Sequence, residues 1–164
     1  MSGINPYIFR AYDVRGKVRH RHHARKSLPR SGRAYGTLIR RRGGTSVALG
    51  MDNRTTSPPL KEAFAAGALS TGLNVVDIGV NHTPLLYFAA AHWKLDGGAT
   101  VTGSHNPVSD NGVKMVHAGA APLTEDEIQG LLATISGGSF RAGHGPPHGA
   151  KPRAASTSTP SPRG

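Results

Sequence analysis

The chain has 164 residues, enough for one domain with a real hydrophobic core. It has no cysteine, which excludes a disulfide framework and a thiolate metal site and suits a cytoplasmic protein. No apolar stretch reaches the ~20 residues that span a bilayer, and "MSGINPYIFRAYD" lacks the basic start and apolar run of a signal peptide.

A formal net charge of +11 raises the question of nucleic-acid binding. Its location argues against it. Residues 18–31 hold five Lys or Arg and no acid, and residues 137–164 hold four and no acid, which leaves +2 for the remainder. Neither segment has hydrophobic periodicity. Aromatic residues for base stacking are few, and a true binder would lose affinity steeply with salt.

"INPYIFRAYDVRG" mixes apolar and charged residues and is predicted to be extended, with Tyr12, Asp13 and Arg15 in an N-terminal loop. Residues 18–31 fit neither period, and helical character is predicted from Gly32, with Tyr35, Leu38 and Ile39 on one face. "TSVALGMD" predicts a buried strand. "SPPLKEAFAAGALSTG" predicts a helix with Ser57 as N-cap, Pro58 in the first turn and Gly72 as the stop. "LNVVDIGV" is a second strand, and "PLLYFAAAHWKL" a helix opened by Pro84, with Trp93 assigned to the core. "GGATVTGS" and "GVKMVH" are the third and fourth strands. "TEDEIQGLLATI" is the last helix, opened by a capping box of Thr124 and Glu127. The fold class is therefore α/β, with a mixed, largely parallel sheet covered by helices, in a single domain over residues 1–136. Residues 137–164 are rich in Gly, Pro, Ser and basic residues and predict a disordered basic tail.

Chemistry concentrates in "TGSHNPVSDNGVKM", Thr102–Met115. Ligands gather at the carboxyl ends of strands in α/β sheets, and this loop follows one. A serine there can accept or donate a phosphoryl group, and a lysine can steady the anion or move a proton. Taken alone, Ser-His-Asn-Pro is more often a polar turn. Two other segments change the balance. "AYDVRG" carries Arg15, and "GMDNRTTS" sets Asp52 and Arg54 at a strand end before a helix N-terminus, where anions are favoured. His20, His22 and His23 have metal-like spacing, but their acid-free setting argues against a site. His82, His92 and His117 read as packing or surface residues.

In this order, the motifs "YIFRAYDVRG", "GRAYGTL", "VALGMDNRTTS", "DIGVNHTPLLYFA", "GATVTGSHNPVSDNGVKMV" and "LTEDEI" resemble the first domain of the α-D-phosphohexomutases, the phosphoglucomutase and phosphomannomutase enzymes. The similarity covers residues 4–17 and 32–136. It implies that Ser104 carries a phosphoryl group, gives it to a hexose monophosphate and recovers the other phosphate from the bisphosphate. A hexose 1-phosphate and 6-phosphate are thereby interconverted. It implies Mg²⁺, bound in part through the phosphate on Ser104, and a primer such as glucose 1,6-bisphosphate. It gives Arg15 and Lys114 roles in proton transfer or charge balance, has His105 and Asn106 shape the loop, and has Tyr12 and Arg54 support the phosphate environment. Gly103 departs from the family's usual alanine, a change expected to loosen the loop.

The aspartate-rich D-G-D-x-D-R run that holds the family's Mg²⁺ does not occur here; Asp110 and Asp126 are isolated. The sugar-reading loops of the later domains are likewise absent. The expectation is a fragment inactive alone, with hexose phosphate as the family's substrate and a companion chain as one possible source of the missing domains. A non-catalytic phosphosugar-binding remnant and a nucleic-acid binder are the alternatives. The atypical segments also suggest displaced reading frames. Read one base out of phase, Arg19 to Pro29 can encode G-T-D-I-T-P-E-S-L-Y-R, a helix start that joins "GRAYGTL" naturally, and a second displacement is expected near residue 144.

Overall fold

The computed structural model describes residues 6–9, 13–17 and 21–143. Tyr12, His20 and the tail from residue 144 lie outside the described residues, as do the side chains of His22 and His23. Among the described residues five strands and four α-helices follow one another: β1 (Asp13–Lys17), α1 (Arg21–Arg41), β2 (Ser46–Met51), α2 (Ser57–Leu69), β3 (Asn74–Val80), α3 (Thr83–His92), β4 (Gly97–Val101), β5 (Asp110–His117) and α4 (Glu125–Gly137). The five strands form one sheet in the order β1-β5-β4-β2-β3. β2 pairs in parallel with β3 and β4, while β5 runs antiparallel to both β4 and β1.

The parallel strands are short and apolar because both of their faces are covered. β4 is buried along its whole length. On one face Val47, Leu49, Val75, Val101 and Val113 meet Tyr35 and Ile39 of α1, Leu60 and Phe64 of α2, and Ile128 and Leu131 of α4. On the other face Ala48, Val76 and Val116 meet Leu86 and Ala89 of α3. The Tyr35 hydroxyl reaches the sheet and donates to the Val116 carbonyl at 2.7 Å. Burial pushes this phenol far above its ordinary pKa, so it stays a neutral donor.

Several boundaries differ from the sequence reading. α1 starts at Arg21, eleven residues before Gly32, and carries Pro29 in its interior. The segment lacks apolar periodicity, yet Leu28 is buried in the larger core cluster, so tertiary contact and not local pattern selects the helix. Asp13 and Arg15 stand on an edge strand, not in a loop, because β5 offers them a partner. Pro6–Ile8 form a short 3-10 turn where extended chain was expected. Ser57 is the first helical residue of α2 and not its cap; Thr56 holds that place and makes no side-chain cap bond. Trp93 is 45% exposed, at the end of a helix that seats only Leu86, Ala89 and Ala90 on the sheet. The capping box of α4 forms as read, with Thr124 and Glu127 each satisfying the other's backbone N–H.

Past α4, residues 138–143 return along the surface. Phe140 lies under the Arg33 guanidinium at 4.7 Å, the Arg141 N–H donates to Thr37 Oγ1, and Gly143 bridges Thr71. Arg40 donates to the Gly44 carbonyl, Arg41 to the Ser139 carbonyl, and Arg42 pairs with Glu127. Arg40 and Arg41 at the end of α1, and Arg42 just past it, are thus engaged by their own chain.

Candidate active site

The carboxyl ends of the parallel strands lie along one edge of the sheet. β2 delivers Asp52 and Arg54, β3 delivers Asn81 and His82, and β4 delivers the loop with Thr102 and Ser104. Together they line a cleft of about 630 Å³. This is the ligand-binding edge expected of such a sheet.

Arg54 organises the serine loop. Its Nη1 donates to the carbonyls of Pro107 at 2.7 Å and Asp110 at 2.9 Å. Its Nη2 donates to the carbonyls of Ser104 at 3.0 Å and Asn106 at 2.8 Å. Its Nε lies 3.2 Å from Asp52 Oδ2. All five guanidinium N–H groups thus have partners on this chain. Arg54 therefore acts on the site by holding the loop, with no N–H left for a ligand. The Asp52–Arg54 pair is also no exposed surface pair, since the two side chains are only 18% and 15% exposed.

Asp52 completes the tie. It accepts the Gly103 N–H at 2.9 Å, the Arg54 N–H at 3.1 Å and the Ser57 hydroxyl. Burial opposes its ionisation, but these hydrogen bonds outweigh burial and hold the carboxyl below its usual range. Gly103 is buried, and a Cβ there would run into the Arg54 guanidinium. Its N–H goes to Asp52 and its carbonyl accepts from Asn106. The glycine expected to loosen the loop thus makes room for the arginine that ties it.

Ser104 comes next, at φ +52°, a left-handed conformation that costs a side-chain-bearing residue about 1–2 kcal/mol. Its N–H is taken by Thr102 Oγ1 at 2.8 Å and its carbonyl by Arg54. The hydroxyl is left exposed, with His105 Nδ1 3.3 Å away. Asn106 contributes through its backbone: its N–H donates to the Gly103 carbonyl to close the turn, and its own carbonyl accepts from Arg54 Nη2.

The remaining predicted residues lie on the next two strands. Arg15 pairs with Gly112 across the sheet, and the Gly112 carbonyl accepts the Thr102 N–H. Arg15 and Thr102 therefore flank a glycine at which no side chain intervenes. Arg15 is held by Asp13 at 2.6 Å and is 11% exposed, and its Nε has no partner among the described residues. Lys114 pairs with Thr100, two residues back from Thr102, or ~7 Å along the strand. Its Nζ sits 5.9 Å from the centre of the Tyr87 ring. Arg15 is thus in the row of the serine loop, and Lys114 is set behind it.

Mg²⁺ is the ion that the motif resemblance implies. Among the described residues no group of three or more His, Asp or Glu side chains could hold a metal ion. Asp52, the carboxylate in the cleft, already accepts from Gly103, Arg54 and Ser57. These residues do not form a Mg²⁺ site by themselves. No described helix is long and apolar enough to cross a membrane.

Sequence reasoning missed Ser57, Thr56 and Asn111, which stand behind the loop in contact with one another. The only available signal was the polarity of "DNRTTS" at a strand end and of Asn111 inside an apolar strand.

Fold and site define an α/β/α domain that presents a tethered, exposed serine from a strand-end loop. Residues 6–142 match the family model described as phosphoglucomutase/phosphomannomutase, alpha/beta/alpha domain I, and the chain belongs to that family. It is 41% identical over 129 residues to a phosphomannomutase of Vibrio cholerae, covering 75% of this chain and 28% of that protein. It is 38% identical over 147 residues to a phosphoglucomutase of Neisseria meningitidis, covering 87% of this chain and 30% of that protein. The crystal structure of a phosphoglucomutase/phosphomannomutase family protein from Burkholderia thailandensis superposes with a TM-score of 0.81 at 40% identity, over 87% of this chain and 32% of that one. The chain thus spans less than a third of the length of each of these relatives.

Proposed function

We propose that this chain supplies the phosphoryl-carrying serine of a hexose-phosphate mutase, with Ser104 as carrier. One observation supports this above the rest. The Ser104 hydroxyl is exposed at the cleft while the Gly103 N–H and the Ser104 N–H and carbonyl are tied by Asp52, Thr102 and Arg54. Such preorganisation suits a transfer in which the protein chiefly positions and stabilises charge.

In the proposed step Ser104 Oγ attacks a phosphorus of a hexose bisphosphate. The bond between phosphorus and the sugar oxygen breaks, and its electron pair leaves with that oxygen. The serine proton passes to a nearby acceptor, for which His105 Nδ1 is in reach, and the sugar oxygen gains a proton. Arg15, in the row of the serine loop, balances the charge of the phosphate, and Lys114 contributes from behind it. Mg²⁺, when bound, supplies charge neutralisation on the transferred group.

The remaining ligands and the sugar-reading surfaces are assigned to segments beyond this chain, so the chain alone is proposed to be inactive as a mutase. The test uses this chain in place of the matching segment of the Vibrio relative. With Mg²⁺ and glucose 1,6-bisphosphate the chimera should convert hexose 1-phosphate to 6-phosphate, and Ser104→Ala should reduce turnover at least 10³-fold, the scale of losing a covalent nucleophile. Robust turnover by the 164-residue chain alone, or a Ser104→Ala chimera as active as its parent, would refute the reading.

A further inference from the structure

Asn111, the second residue of β5, is 3% exposed and uses its whole side-chain amide. Its Nδ2 donates to Thr56 Oγ1 and to Ser57 Oγ, each at 2.9 Å, and its Oδ1 accepts the Gly112 N–H at 2.8 Å. Ser57 Oγ in turn donates to Asp52 Oδ1, and Asp52 Oδ2 accepts the Gly103 N–H at 2.9 Å. The circuit closes through the sheet, where the Thr102 N–H donates to the Gly112 carbonyl at 3.0 Å.

The direction of each bond is forced. An ionised Asp52 only accepts, so the single Ser57 proton points to it. Ser57 Oγ must then accept, and only the NH₂ end of Asn111 can donate to it. The amide orientation follows from the network and not from its shape. An aspartate of the same shape would fit the space and break the direction. It would draw the Ser57 proton away from Asp52.

We infer that Asn111 is a positioning residue for Ser104, acting through Ser57 and Asp52 on the Gly103 N–H. The idea rests on the phosphoserine reading for its purpose, since a tether on the residue before the nucleophile fixes where Oγ stands. It does not rest on that reading for its test.

The experiment follows the Gly103 amide of the intact chain by ¹H–¹⁵N NMR through an acid titration, together with its hydrogen exchange. The variants are Asn111→Asp, Ser57→Ala and, as a control, Thr56→Val. In the parent chain the amide should report the titration of its carboxylate partner Asp52. In Ser57→Ala and Asn111→Asp that midpoint should move up toward the ordinary carboxylate range, and Gly103 exchange should speed up about tenfold. Thr56→Val, which removes the other acceptor of Asn111, should leave both unchanged. If Asn111→Asp fails to fold, Asn111→Ala decides with the same expected shift, because it removes the donor to Ser57 Oγ and leaves the Ser57 hydroxyl itself in place. Folded variants with the parental midpoint and exchange overturn the inference. So does a Thr56→Val change as large as that of Ser57→Ala, which would mark a general loss of packing. No phosphate enters this measurement, so failure of the mutase reading in the chimera would leave its outcome standing.

Discussion

Arg54 joins two stretches of chain some fifty residues apart, and its planar fork is what allows it. Four carbonyls at fixed spacing and one carboxylate match five N–H groups in a rigid plane. A lysine has three donors on a flexible stem and cannot span them. Arg54→Lys should therefore leave at least two of these five acceptors unpaired, at a cost of about 2–4 kcal/mol. Urea unfolding measures the loss, and faster hydrogen exchange confined to residues 103–110 would locate it. Stability within about 0.5 kcal/mol of the parent would refute the clamp, since that is the scale of an ordinary surface change. The sequence placed Asp52 and Arg54 at a strand end beside a helix. It could not show which way the guanidinium faces, because its acceptors come from a loop distant in sequence. An exposed pair and an anion-binding pair both fit the local pattern. The burial of Arg54 against the loop favours neither and assigns it a third task.

The helices divide by how much of their making is local. α4 was legible to its cap because Thr124 and Glu127 complete a box within one turn. α2 and α3 were legible from their prolines and apolar residues, with an error of one residue at the α2 cap. There Ser57 serves Asp52 instead of the helix. α1 was legible only from Gly32 onward. Before Gly32 its one core residue is Leu28 among the described side chains, and the segment carries misfits. Pro29 lies in the helix interior, where it offers no N–H to the turn before it. Ser27 is buried with no partner for its hydroxyl among the described residues, and so is Ser31 two residues past the proline. Ser27 and Pro29 fall within the segment whose out-of-phase reading gives Leu at 27 and Arg at 29, residues suited to a buried site and a helix interior. Pro29→Ala should raise stability by about 2–3 kcal/mol, the helix-interior cost of proline. Thermal and urea unfolding measure it, and an unchanged or lower stability would show that α1 does not run through this point.

At the scale of the whole molecule, one cluster joins three parts of the fold that no local pattern connects. Arg42 just past α1, His117 at the end of β5 and Glu127 in the first turn of α4 meet in contact. His117 Nε2 lies 2.9 Å from Glu127 Oε2, and the Thr124 N–H donates to the same oxygen at 2.8 Å. Burial disfavours ionised Glu127. The bonds from His117, the Thr124 N–H and Arg42 outweigh it and lower the carboxyl to about 2, against an ordinary 4.5. The sign of the linkage follows. A depressed carboxyl binds its proton more weakly in the folded state than in the unfolded chain. Its contribution is therefore complete above 4.5 and is lost as pH falls through about 2. Asp52, lowered by its own hydrogen bonds, acts in the same direction. A chain with a formal charge of +11 gains further positive charge over this range, so self-repulsion adds to the loss. Glu127→Gln keeps the shape and removes the titration. The variant should be less stable than the parent near neutral pH, and the gap should narrow steadily between pH 4.5 and about 2. Urea unfolding at a series of pH values measures that gap. A gap that stays constant across the window would show that Glu127 holds α1, β5 and α4 together by packing and not by charge.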